Sequence, residues 1–184
     1  MVLPNWHESS KDLIKPWDYW LGIQSSLTQA LAKAGGQKCE LAVKQEGYAQ
    51  PWQDECEFLE INQSDQSDQS DQQHWVREIT LSQAKHGELV YARSVFPKEL
   101  IEHHAEFLTL GNSVLAQVLF DNPHIYRGDI EISQLNKDHD LFKIILAAGL
   151  VLENQTLWAR RSRLHVKNHQ LLVCEVMLDA VKKI

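Results

Sequence analysis

The sequence predicts an α+β protein, a single antiparallel β-sheet with helices packed on it. Three observations carry that expectation. Residues 75–81 and 89–96 are β-rich runs separated by the turn-forming Lys85-His86-Gly87-Glu88, and Leu157 to Leu178 holds two more such runs around Lys167-Asn168-His169-Gln170. Stretches with apolar residues at three- and four-residue steps lie between these hairpins. Strands and helices do not alternate as repeated βαβ units, which argues against a parallel sheet.

Taken in order, residues 1–16 read as a loose lead-in ending at Pro16. From Trp17 to Ala34 the apolar residues Trp17, Trp20, Leu21, Leu27 and Leu31 keep helical spacing, and Ser26-Leu27-Thr28-Gln29 fits a capping box. Two helices with a break near Gln24–Ser26 are expected, stopped by Gly35-Gly36. Cys39 to Tyr48 reads as a strand, followed by a turn at Glu46-Gly47 or an irregular segment to Phe58. Residues 62–73, NQSDQSDQSDQQ, contain no apolar side chain and cannot bury surface to offset ordering entropy. They read as a low-complexity surface loop within one domain spanning 1–184.

Order resumes at His74. Alternation from Trp75 to Leu81 puts Trp75, Arg77, Ile79 and Leu81 on one face and Val76, Glu78 and Thr80 on the other. Leu89 to Phe96 is the partner strand. Pro97 opens an amphipathic helix with Leu100, Ile101, His104, Phe107 and Leu108 on its apolar face, stopped by Gly111. Asn112 or Ser113 caps a short helix, Val114 to Phe120. His124 to Ile132 reads as a strand and Asp138 to Ala148 as a helix, before the final hairpin.

Composition narrows the function. The 184 residues are 43% hydrophobic and 23% charged, as in ordinary globular proteins, and the net charge is −7. An acidic chain is a poor general ligand for nucleic acid or membrane surfaces, so an anionic ligand would need a local arginine cluster. Three cysteines without a CxxC pair fit a reducing compartment, and 1–12 lack the layout of a signal peptide. With no apolar run long enough to span a bilayer, a cytoplasmic protein without membrane insertion is expected. His103-His104 do not share a helix face, and no metal-ligand spacing, GxSxG elbow or phosphate-cradling glycine loop occurs.

Two charged residues stand out. Arg77 sits among apolar neighbours on one strand face: an edge arginine, a structural partner for Glu78 or Glu175, or a bidentate clamp for a carboxylate. Glu175 is the one charge in Leu171–Leu178, a run apolar at both parities and therefore covered on both faces. There a carboxylate is costly unless paired or protonated, so Glu175 is an ion-pair member or a functional acid. If the hairpin closes through Asn168-His169, Ser162 lies opposite Glu175, with Arg160 and Leu164 on its face.

Three ordered segments resemble the chorismate lyase (chorismate–pyruvate lyase) family. They are Trp75-Val76-Arg77-Glu78-Ile79 with Ala92-Arg93-Ser94-Val95-Phe96-Pro97; Leu110 to Leu115 with Leu119-Phe120; and Leu157 to Leu164 with Leu171 to Val176. The resemblance implies an internal ligand cavity under helical flaps. It implies a cofactor- and metal-independent elimination of pyruvate from chorismate, leaving 4-hydroxybenzoate for ubiquinone synthesis. The family's carboxylate-binding arginine falls on Arg77, its acid on Glu175 and a backbone contact on Leu115. A further contact, commonly from methionine, falls on Leu27. A monomer is expected, and Arg77→Ala and Glu175→Ala are expected to cost more activity than stability. The alternative is a non-catalytic sensor of small aromatic acids with the same fold, as in certain bacterial transcription regulators, although residues 1–60 show no basic helix-turn-helix pattern.

Overall fold

The computed structural model describes residues 5–8, 13, 15–61, 73–111 and 125–184. Seven strands form one sheet: β1 (His7–Glu8), β2 (Glu40–Ala49), β3 (His74–Gln83), β4 (Gly87–Phe96), β5 (Ile125–Leu135), β6 (Leu157–Val166) and β7 (His169–Met177). Their spatial order is β1-β5-β6-β7-β4-β3-β2, and every neighbouring pair is antiparallel. The expected hairpins are β3–β4 and β6–β7, and β4 pairs with β7 to join them at the centre. Strand β1, within the segment read as a lead-in, covers part of the β5 edge.

Directly paired residues share a sheet face. One face carries α1 (Trp17–Gly22) and α2 (Leu27–Gly35), whose Trp20, Leu27 and Leu31 pack on Leu81, Val90, Ile130, Ile132 and Met177. The expected break lies between these helices: Ser26 Oγ accepts from Gln29 N at 3.3 Å, and Gly36 closes α2 in the left-handed conformation. Farther along this face, α4 (Lys98–His103) and the following 3₁₀ turn (Ala105–Thr109) set Leu100, Ile101 and Phe107 against Phe96, Leu171 and Val173. The continuous helix expected from Pro97 to Gly111 breaks at His104, whose φ of −140° is not helical. The opposite face carries α3 (Gln53–Leu59) and α5 (Asp140–Ala147), which cover Tyr91, Ala159, Cys174, Val176, Val76 and Leu172.

Further expectations need correction. Glu46-Gly47 is not a turn; both residues lie inside β2, and the irregular segment expected beyond it contains α3. The β6–β7 loop is Lys167-Asn168, not Asn168-His169, with Lys167 at φ 55°. Each strand therefore shifts by one residue, so Arg160 replaces Ser162 opposite Glu175 while both stay on the same face. The Asn62–Gln73 repeat, apart from Gln73, and the helix expected at Val114–Phe120, with Leu115, lie outside the described residues.

Two helices are capped by imidazoles. His74 Nδ1 accepts from Lys98 N at the start of α4, and His139 Nδ1 accepts from Leu141 N at the start of α5. An accepting nitrogen must be unprotonated, and burial is the main cause lowering both pKa values. An unfolded-state histidine titrates at about 6.5, so both caps contribute fully above that pH. Stability is lost as pH falls below it towards the lowered folded-state values. His139→Asn keeps a capping acceptor that does not titrate. It should therefore show a smaller drop in melting temperature between about pH 7 and about pH 5 than wild type; an equal drop would contradict the titrating cap.

Candidate active site

On the face covered by α1, α2 and α4, the apolar carpet divides into two clusters. Between them runs a polar band built by strand register. Arg77, Ser94, Val173 and Ser162 form one row across β3, β4, β7 and β6; Ala92, Glu175, Arg160 and Ile132 form the next. Both residues singled out in the sequence therefore face the same side. They are two strands apart and two residues offset along the strands. With strands about 4.8 Å apart and a rise of about 3.4 Å per residue, their Cα atoms are about 12 Å from each other.

Arg77 is 3% exposed. Its Nη1 donates to Glu46 Oε1 at 3.0 Å and its Nη2 to the Gly111 carbonyl at 2.5 Å. Neither Glu78 nor Glu175, the partners considered from sequence, is in these bonds: Glu78 points to the opposite face, and Glu46 lies across from Arg77 on β2. Gly111, at φ 51°, is the last described residue before the segment that holds Leu115. The bond to its carbonyl thus ties Arg77 to the start of that segment.

Glu175 sits at the other end of the band, and its ion-pair reading is realised. Arg160 Nε donates to Glu175 Oε2 at 2.7 Å, and Arg127 Nη1 lies 3.8 Å from the same oxygen. These guanidinium groups offset the desolvation that made the acid awkward in the sequence. Arg160 is fully buried; its Nη1 also donates to the Ile23 carbonyl at 2.5 Å and more weakly to that of Trp20. It thereby fixes the α1–α2 connection over the site. Leu27, one turn beyond, has its side chain in the apolar core, while its backbone N–H lies in the first turn of α2, where donors have no intrahelical acceptor.

Arg127 was not singled out by sequence reasoning. The β5–β6 register shifts between Arg127 and Ile130, a bulge that inserts one residue. Without it Arg127 would point away from Ile130's face; with it the guanidinium reaches Ser162 Oγ and Glu175. The available signal was Gly128, since a glycine inside a strand pattern marks a bulge. Burial lowers the Arg127 pKa, with Glu175 opposing that shift and Arg160 adding to it.

The remaining arginines face the other way. Arg93 is bidentate to Glu55 at 2.6 and 3.0 Å, donates to Glu78 at 2.6 Å and stacks on Trp52, while Tyr91 donates to the second Glu78 oxygen. Burial raises the Glu55 pKa, a shift opposed by Arg93. Arg161 lies between the Trp6 and Phe58 rings and pairs with Glu131 and Asp54; Arg163 pairs with Glu60. A groove of about 380 Å³ on that side is lined by Trp6, Asp54, Phe58, Glu131, Arg161 and Arg163 among others, but its cations are already matched by carboxylates. Among the described residues no group of three or more His, Cys, Asp or Glu is placed to hold a metal ion, and no helix is long and apolar enough to cross a membrane.

The family model for chorismate lyase matches residues 6–183. The chain belongs to the chorismate lyase family. It is 37% identical to a probable chorismate pyruvate-lyase of Pseudoalteromonas translucida over 90 residues, 49% of each chain. It is 28% identical to one of Coxiella burnetii, covering 88% of this chain and 82% of that one. A third, from Halorhodospira halophila, is 31% identical over 83% of this chain and 76% of its own. Arg77 and Glu175, the two residues that the resemblance in the sequence singled out, lie at the two ends of one polar band.

The Arg160 pair gives the loss of Glu175 a cost in stability as well. Removing Glu175 strands two buried guanidinium groups, which costs about 3 kcal/mol. Glu175→Ala should lower the urea midpoint accordingly, and Glu175→Gln, which keeps an acceptor, should lower it less. An alanine variant that unfolds at the wild-type midpoint would show that the cluster does not stabilise the fold.

Proposed function

We propose that the protein is a chorismate pyruvate-lyase whose substrate lies along the polar band, with Arg77 at one end and Glu175 at the other. The observation that carries this reading is that separation on one buried sheet face. It suits a flat ring bearing a carboxylate at one end and an oxygen at the opposite end. Arg77, oriented by Glu46, binds the ring carboxylate through its planar fork. Glu175 hydrogen-bonds the oxygen at the 4-position and assists proton transfer. Backbone groups at Leu27 and Leu115 complete the contacts, and the helices of this face cover the ligand cavity.

In the reaction the bond between the ring and the ether oxygen breaks and the hydrogen on the neighbouring 4-carbon leaves as a proton. Enolpyruvate takes up a proton to become pyruvate, and the ring becomes 4-hydroxybenzoate. Aromatisation supplies the driving force. The protein needs to hold the reactive ring conformer and stabilise charge on the departing oxygen, without metal or cofactor. We place this single-domain protein in the cytoplasm as a monomer, at the start of ubiquinone synthesis.

Mixing purified protein with chorismate and following 4-hydroxybenzoate absorbance tests the reading. Wild type should turn over. Arg77→Gln should raise KM by about 30-fold through loss of a charged hydrogen-bond pair. Glu175→Gln should lower kcat by about 100-fold. Wild-type kinetics in either folded variant would overturn that residue's role. Absence of turnover with tight 4-hydroxybenzoate binding would make the protein a sensor instead.

A further inference from the structure

Around Glu175 the described residues place two guanidinium groups against one carboxylate, so the cluster carries excess positive charge away from water. Two of its donors are unused. Arg127 Nε and Arg160 Nη2 are both buried and have no hydrogen-bond partner among the described residues. The side chains of Arg127 and Arg160 are 8% and 1% exposed, so bulk water is a poor substitute. Arg93, on the other face, shows what this fold does with a structural arginine: Nε, Nη1 and Nη2 each meet a carboxylate oxygen at 3.0 Å or less. A buried charged donor left unpaired is costly and uncommon in native proteins. Two in one cluster, held there by a strand bulge and a buried ion pair, point to an anion that completes it.

The reading above supplies that anion. Chorismate is a dianion whose second carboxylate belongs to the enolpyruvyl group, and the ether carrying it is on the ring carbon adjacent to the one that bears the 4-oxygen. With that oxygen at Glu175, the second carboxylate falls within a few bonds of the same side chain. We propose that Arg127, backed by Arg160, binds the side-chain carboxylate of the substrate and then the carboxylate of departing pyruvate. Arg127 is the principal contact, because Arg160 already spends Nε on Glu175 and Nη1 on the Ile23 carbonyl. As the ether bond breaks, negative charge grows on enolpyruvate, where a fixed cation stabilises it. The same pair divides the specificity: Arg77 reads the half that becomes 4-hydroxybenzoate, and Arg127 reads the half that leaves.

This inference rests on the placement of the 4-oxygen at Glu175, and its test separates the two ideas. 4-Hydroxybenzoate lacks the second carboxylate. Arg127→Gln should therefore lower kcat/KM for chorismate by about 30- to 100-fold, the worth of a charge-assisted pair. Its 4-hydroxybenzoate affinity, measured by calorimetry, should stay within about threefold of wild type. Competitive inhibition by pyruvate should weaken in parallel with kcat/KM. Arg127→Lys retains the charge and the fold but loses the fork, and should show an intermediate loss with the same split between substrate and product. If Arg127→Gln does not fold, the lysine variant decides. Unchanged kcat/KM, or equal losses for chorismate and 4-hydroxybenzoate, would overturn the role of Arg127. Failure of the wild type to turn over chorismate would instead overturn the reading on which it rests.

Discussion

The structure depends on how one carboxylate is neutralised. Glu175 lies in the central strand pair of the sheet, and Arg160 on β6 meets it at 2.7 Å while Arg127 approaches from β5. Through the Ile23 carbonyl the same Arg160 holds the connection between α1 and α2. Three strands and two helices are thus coupled through a few polar atoms. Such a buried cluster is poor value as a stabiliser, because desolvation consumes much of its Coulomb attraction. An apolar set of equal volume would serve the fold as well. The cluster makes sense when its charge is also wanted for a ligand.

The two sheet faces make that contrast concrete. On the α3 side, charge is balanced internally: Arg93 is shared between Glu55 and Glu78, and Tyr91 takes the remaining Glu78 oxygen. Each Arg93 nitrogen there already meets a carboxylate oxygen. On the α1 and α4 side, the polar band separates two apolar clusters, and Arg127 and Arg160 each keep a donor unmatched among the described residues. The protein's net charge of −7 would repel a dianion at long range, so local excess of cation in a poorly solvated band is what binding requires.

Much of this could be read in the sequence, and what escaped did so for physical reasons. Alternation placed Arg77 on its face, and double-sided apolarity marked Glu175 as buried, because both follow from the two-residue strand period. The ends of α1 and α2 were legible through Ser26 and Gly36. Register was not: whether the last turn uses Lys167-Asn168 or Asn168-His169 is decided by backbone geometry, and it exchanges Ser162 for Arg160 as the partner of Glu175. Arg127 was hidden because its bulge reverses the parity that alternation assumes. Helix α3 was hidden because one of its buried anchors is Glu55, a residue that reads as solvent-facing until Arg93 on a distant strand is known to meet it.

A structure of the protein with 4-hydroxybenzoate bound would test the central claim most directly. The account predicts the ring in the polar band, its carboxylate on Arg77, its phenol oxygen on Glu175, and a space beside Arg127 where the second carboxylate of the substrate would sit. A ligand bound in the opposite sense, or one lodged on the Arg161 side of the sheet, would contradict it.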